Sequence, residues 1–420
     1  MLRKLVGIFI VLTPFTSYFA VSSWLRLPVI VLLILVAVFL LSIAIKQKIA
    51  AAALKVDRED FFLISFLLLV WASWLLGFGE GRSLNHAIAY TFAISFYYFI
   101  FRIIVNDNHI DSVFILRHFA ITSIICCTII ILDWTLINLF SIGIRDYFVN
   151  VENNTANMLY FQRAYFFSVG GVAEEPGSMA LLLNITAPLG LLYFEQRQNS
   201  KAYNILLAMY GVALFCLFST AGLFNLFFAI GVLYLYNLIE SKKIRISLNR
   251  IIFISAGLIA IIIIAVNNQH VIDSITNEIS QKLSLNTRDA SASIRTETWY
   301  KAFRDWRMNP LLGNGPGHGV QLYGSGYHSV YFSILADLGI LSIFAFGTFI
   351  LFKAIKVFLL PHPVRFYVGV AFIATTIHFA IVGDFYHAPF WILLILIGKL
   401  TFEERSQQYF NEAINNNTYL

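Results

Sequence analysis

The chain has 420 residues, of which 59% are apolar and only 12% are Asp, Glu, Lys or Arg, with a formal net charge of +6. Its continuous apolar runs exceed the ~20 residues needed to cross a ~30 Å hydrocarbon core, and they do not alternate with period two, which excludes a closed β-barrel. The positive charge is a topological signal and needs no nucleic acid to explain it.

About twelve spans are expected, near 5–21, 27–45, 61–78, 84–105, 119–140, 177–194, 202–218, 222–239, 251–266, 330–352, 366–383 and 389–402. The first follows Met1-Leu-Arg-Lys without a small-residue cleavage site, which favours an uncleaved helix over a signal peptide. About nineteen of the 29 Lys and Arg fall on the amino-terminal side of alternate connectors, including Lys46, Lys48, Lys55, Arg58, Lys242, Lys243, Arg245, Arg250, Lys353, Lys356 and Arg365. Both termini are therefore expected in the cytoplasm. Cys126, Cys127 and Cys216 lie within spans and read as small apolar residues, so neither a disulfide nor a thiolate metal site is expected.

This organisation divides the chain into a first group of about five helices (1–140), a loop (141–176), about four central helices (177–266), a large loop (267–329), about three further helices (330–402) and a tail (403–420). The two loops fall outside the cytoplasm and hold most of the basic residues on that side, against the topological bias.

In the first loop, Arg163 stands among Tyr160, Phe161, Tyr165 and Phe166. A guanidinium there must stack, snorkel or meet an anion, and its planar fork suits phosphate or pyrophosphate. Gly170-Gly171 permits a sharp turn, and Glu174-Glu175 precede Pro176 at the start of a span. Two roles are open to these carboxylates: capping that helix, or orienting an arginine or an acceptor hydroxyl.

The second loop carries Arg288 and Arg295, then a segment, 294–309, in which Trp299, Phe303 and Trp306 recur with helical spacing. The pattern predicts an interfacial helix, stopped by Pro310, with Lys301, Arg304 and Asp305 off its apolar face. The run Gly313-Asn-Gly315-Pro-Gly317-His318-Gly319 is not a nucleotide-binding loop, for no Gly-x-Gly-x-x-Gly is present, no Lys-Ser/Thr follows and no strand precedes it. Its physical use is a tight turn that brings backbone close to a ligand or another helix. Tyr323-Gly-Ser-Gly326-Tyr327 then delivers His328 to the mouth of the next span, where it is either a structural hydrogen-bonder or a catalyst. His318 and His328 lack the spacing and further ligands of a metal site. Asp384 and His387 read as helix caps.

The pattern Arg295-x-x-x-Trp299, Pro310-Leu-Leu-Gly313-x-Gly315-Pro-Gly317, His328-Ser-x-Tyr331-Phe-x-x-Leu335-x-Asp337-x-Gly339 resembles the O-antigen polymerase and O-antigen ligase superfamily. It departs from that family at Ser329, where Asn is usual, and at Asp337, where Glu is common. The resemblance implies an all-α, GT-C-like integral membrane protein of the bacterial inner membrane, with two long periplasmic loops and a periplasmic active site. It further implies a glycosyltransferase whose donor is a glycan on undecaprenyl pyrophosphate, with no cofactor or metal and with membrane lipid and a chain-length regulator protein as partners. The segment Arg163…Glu174-Glu175-Pro-Gly-Ser looks more like a polymerase than a ligase, the alternative that transfers glycan to lipid A–core. On this reading Arg163, Arg288 and Arg295 bind the pyrophosphate and His328 removes the acceptor proton, with Glu175 as the alternative base or the residue orienting the acceptor. Glu174, Gly315, Gly317 and Tyr327 complete the expected substrate-binding set. A lipid-linked oligosaccharide flippase is the rival from another class. It would place charges within the spans and show two related halves, and neither feature stands out here.

Overall fold

The computed structural model describes residues 1–22, 24–46, 49–77, 82–149, 160–163, 166–241, 290–383 and 385–417. The protein is an all-α integral membrane protein. Among the described residues, eight helices are long and apolar enough to cross a membrane: Leu27–Lys46, Arg58–Leu76, Ser83–Asp107, Ser112–Phe140, Pro176–Gln196, Ser200–Leu217, Thr220–Glu240 and Val330–Phe358. Val364–His378 is a shorter apolar helix. The expected span at 251–266 lies outside the described residues.

In chain order the helices are α1 (Leu2–Leu12), α2 (Leu27–Lys46), α3 (Arg58–Leu76), α4 (Ser83–Phe92), α5 (Phe101–Asp107), α6 (Ser112–Phe140), α7 (Arg145–Phe148), α8 (Pro176–Gln196), α9 (Ser200–Leu217) and α10 (Thr220–Ser241). They continue with α11 (Ala290–Trp306), α12 (His318–Tyr323), α13 (Val330–Phe358), α14 (Val364–His378) and α15 (Ala388–Asn417). A π-helical stretch, Ala93–Ile100, joins α4 to α5.

The starts of the spans follow local chemistry. Asp111 caps α6 by accepting from the Phe114 amide at 2.7 Å, and Ser329 caps α13 by accepting from Phe332 at 3.3 Å. Pro176 opens α8 at a position where its missing N–H costs nothing. Helix α8 is the centre of the bundle, with every residue from Ser178 to Leu192 buried. Its buried amide side chain is bonded to both neighbouring helices, Asn184 donating to Gly222 O at 2.9 Å and accepting from Tyr210 at 2.5 Å.

Two differences from the sequence expectation have plain causes. The expected span at 5–21 is an 11-residue helix, α1, that ends at Leu12, just before Pro14. The apolar residues beyond it, Phe15 and Tyr18, are spent on packing against Val169, Val172 and Ala173 instead. Helix α15 also continues past the apolar segment through the tail as far as Asn417.

Residues 13–26, 141–175, 290–329 and 379–387 gather on one side of the bundle, called here the loop side. Cross-bonds confirm the grouping: Ser17 Oγ donates to Val172 O at 3.0 Å, and the Val330 amide donates to Phe379 O at 2.8 Å. The opposite side is locked by buried ion pairs. Lys353 and Lys356 of α13 meet Glu59 of α3, and Arg102 of α5 meets Asp60 at 2.8 Å.

Candidate active site

The glycine run is built against the first half of α13. Gly313 and Gly339 lie back to back at φ +72° and +77°. A Cβ on Gly313 would stand 2.3 Å from the Asp337 carbonyl carbon, and one on Gly339 would stand 2.2 Å from Leu311 O. Helix α13 breaks at Gly339, and the loop supplies the missing bonds: Ile340 N donates to Pro310 O (3.0 Å) and Leu341 N to Leu311 O (3.3 Å). In return Asn314 N donates to Ala336 O (3.2 Å) and Gly315 N to Asp337 O (2.9 Å). The Asp337 carboxylate accepts from Gly317 N at 3.0 Å and Gly319 N at 3.3 Å, and Ser73 of α3 donates to its carbonyl at 2.8 Å. The amides of Gly315 and Gly317, expected to meet substrate, are thus committed to α13. Of the two uses open to the run, approach to another helix is the one observed, and His86 of α4 lies directly against Gly317.

A second hub sits beside it. Asp305, expected on the outer face of an interfacial helix, is 1% exposed and accepts from the hydroxyls of Tyr323 (2.7 Å) and Tyr327 (2.9 Å). Burial, and then the nearby carboxylates of Asp337 and Asp305, push the Tyr327 phenol well up, so it remains a donor. Tyr327, expected to bind substrate, is buried with its hydroxyl on Asp305. The apolar side of α11 faces α13 as well, with the rings of Trp299 and Phe303 each 5.3 Å from Phe332.

These struts bring the helical turn of Arg295 beside the residue that precedes His328. Thr298, one turn after Arg295, donates to Arg295 O at 2.8 Å and to Tyr327 O at 3.2 Å, the residue before His328. His328 is half-buried at φ +50°, a conformation that non-glycine residues rarely hold, and Ser329 follows as the α13 cap. The Ser329 hydroxyl donates to Phe379 O at 3.4 Å, which fixes the start of α13 to the end of α14. His378, the last residue of α14, joins the cluster there, with Arg295 and His387 as its titratable neighbours.

The first loop is held separately on the same side. Tyr160–Arg163 and Phe166–Val169 form an antiparallel hairpin in which Arg163 pairs with Phe166. Arg163 is described through its backbone, and Arg288 lies outside the described residues. The Glu174 carboxylate is ion-paired with Arg26, while the Glu174 carbonyl accepts from Arg145 at 3.0 Å. Arg145 is fully buried, its Nη1 pressed against Gly170. Burial pulls its pKa down, and the fields of Tyr18, Asp133, Tyr160 and Glu174 oppose that. Asp133 in turn accepts from the Ile144 amide and the Tyr160 hydroxyl, both at 3.2 Å. Glu175 is the N-cap residue of α8 and is exposed, but its carboxylate makes no capping bond. That leaves the exposed carboxylate at the amino end of α8. Tyr203, at the start of α9 just after α8 ends, bonds Tyr367 near the start of α14 at 2.9 Å, which sets the carboxyl end of α8 near the amino end of α14 and Glu175 on the same side as His378.

Arg26, Arg145, Asp305 and His378 do not stand out in the sequence as site residues. The excess of basic residues in the loops was a signal for Arg145, whereas Asp305 and His378 carried none.

Residues 205–347 match the family model described as O-antigen ligase. The matched segment contains Arg295, the glycine run, His328, Asp337 and Gly339, and it supports the O-antigen polymerase and ligase superfamily that the motif resembles. No curated protein matches the chain.

Proposed function

We propose, from this family match and from the convergence of Arg295 and His328, that the protein polymerises lipid-linked oligosaccharide repeat units. The family match supports a multi-pass enzyme of the bacterial inner membrane, of the O-antigen ligase or polymerase type, that transfers glycosyl groups. The donor is a glycan on undecaprenyl pyrophosphate. A hydroxyl oxygen of the acceptor repeat unit attacks the anomeric carbon, the bond from that carbon to the pyrophosphate oxygen breaks, and the electron pair leaves with the pyrophosphate. His328 takes the hydroxyl proton, a role in which a positioned base contributes ~10²–10⁴-fold. Arg295, with Arg163 and Arg288, meets the charge that develops on the leaving group. Glu175 orients the acceptor or serves as the alternative base. The single observation that carries this reading is the Thr298 bond, which ties the turn of Arg295 to the residue preceding His328.

The family model is described as a ligase, which favours a second reading: transfer of finished glycan to lipid A–core. Deleting the gene in its host and resolving surface polysaccharide on a gel separates the two. A single repeat unit left on lipid A–core marks a polymerase. Loss of all attached glycan, with long chains accumulating on undecaprenyl pyrophosphate, marks a ligase. An unchanged ladder removes both.

A further inference from the structure

His378 closes α14 with only 1% of its surface exposed, and neither ring nitrogen has a hydrogen-bond partner among the described residues. A neutral imidazole offers one donor and one acceptor, and leaving both unused in a buried position is unfavourable. Packing alone would be better served by an apolar ring of similar size. Buried polar atoms left open in this way call for a partner that arrives in the working state.

The surroundings say which partner. Phe379, the next residue, accepts from Val330 N at 2.8 Å and Ser329 Oγ at 3.4 Å, so the ring lies beside the junction that holds His328. Arg295 and His387 act electrostatically on the ring. A phosphate oxygen can only accept, and the cation beside the ring already suits it. A sugar hydroxyl both donates and accepts, as the imidazole does.

We infer that His378 is a further substrate-binding residue, whose ring hydrogen-bonds a hydroxyl of the glycan, directly or across one water, beside Arg295. The inference rests on reading this site as one of glycan transfer. It assigns a division of labour, with Arg295 on the anionic linkage and His378 on the sugar.

The test uses the full chain in lipid nanodiscs, with two probes: undecaprenyl pyrophosphate carrying the host's repeat unit, and undecaprenyl pyrophosphate alone. His378→Phe keeps a ring and removes both nitrogens; His378→Gln keeps a donor and an acceptor. The expected result is that His378→Phe binds the glycan-bearing lipid at least ~10-fold more weakly and the bare lipid as before. Its thermal unfolding midpoint is expected to be equal or higher, because an unsatisfied polar ring has been replaced by an apolar one. His378→Gln should recover part of the glycan affinity. Unchanged glycan binding by His378→Phe overturns the inference. So does equal loss of both lipids together with a lowered midpoint, which marks a purely structural ring. A wild-type protein that binds no glycan-bearing lipid overturns the functional reading itself, and this is visible before any variant is compared.

Discussion

Replacing Asp337 by Ala is the sharpest probe of how the site is assembled. The carboxylate accepts two amides, from Gly317 at 3.0 Å and Gly319 at 3.3 Å, and it is 5% exposed. Each buried amide left without an acceptor costs about 1–3 kcal/mol, so the pair costs about 2–6 kcal/mol. The main-chain bonds from Asn314 and Gly315 to residues 336 and 337 survive the change, as does the bond from Ser73. The loop therefore stays partly seated, and the expected cost falls in the lower half, about 2–4 kcal/mol. Asp337→Asn retains one acceptor oxygen but turns an NH2 group toward the second amide, so it should cost about half as much. The assay is thermal unfolding of the purified protein in one fixed detergent or nanodisc, with glycan transfer measured on the same samples. Transfer should fall along with stability, because the far end of this loop leads into Tyr327 and His328. If Asp337→Ala melts within a degree of the unaltered protein, the carboxylate does not hold the glycine run and the account of the loop is wrong.

Three further outcomes are expected. Arg295→Lys keeps the charge and loses the planar fork, so transfer should drop at least ~10-fold at normal abundance; full activity would sink the bidentate role. His328→Asn suits the φ +50° backbone, since Asn tolerates that region, and should melt like the unaltered protein while losing ~10²–10⁴-fold in transfer. A normal transfer rate in that variant would hand the base role to another residue. Gly170→Ala puts a Cβ 1.8 Å from Arg145 Nη1, which displaces the guanidinium and breaks its bond to Glu174 O. The expected loss is about 1–3 kcal/mol in unfolding free energy, and an unchanged melting curve would show that Arg145 can shift without cost.

The spans were legible because an apolar run of about 20 residues has few other uses. The central helix was expected at 177–194 and is Pro176–Gln196, and the helix after the large loop was expected to open at 330 and does. The break in that same helix was not legible, since a glycine in an apolar run announces nothing until a loop is found against it. The opening segment misled for the opposite reason: Phe15 and Tyr18 are apolar because they pack against the first loop, not because they face lipid. At the site, Arg295 and His328 were visible as polar residues where polarity is expensive. Asp305 is expected only off the apolar face of its helix, because its partners lie 18 and 22 positions away, beyond what helical spacing can report. Glycines at 315 and 317 carried a true signal of close approach, and their amides bond Asp337 of α13.

The exchange of bonds between 310–319 and α13 has a consequence for how the protein is made. Its anchor points are far apart along the chain: Ser73 donates to Asp337 across 264 positions, and Gly77 touches Gly315. Helix α3 emerges early during synthesis and α13 late, so the seat for the loop does not exist until most spans are already in the bilayer. Closing so long a separation carries an entropic cost that only the finished bundle can offset. A nascent or truncated chain that stops before Val330 thus holds arginines, glycines and a histidine in sequence but no assembled centre. The arrangement of Arg295, the glycine run and His328 is therefore complete only once α13 has joined a nearly finished membrane domain.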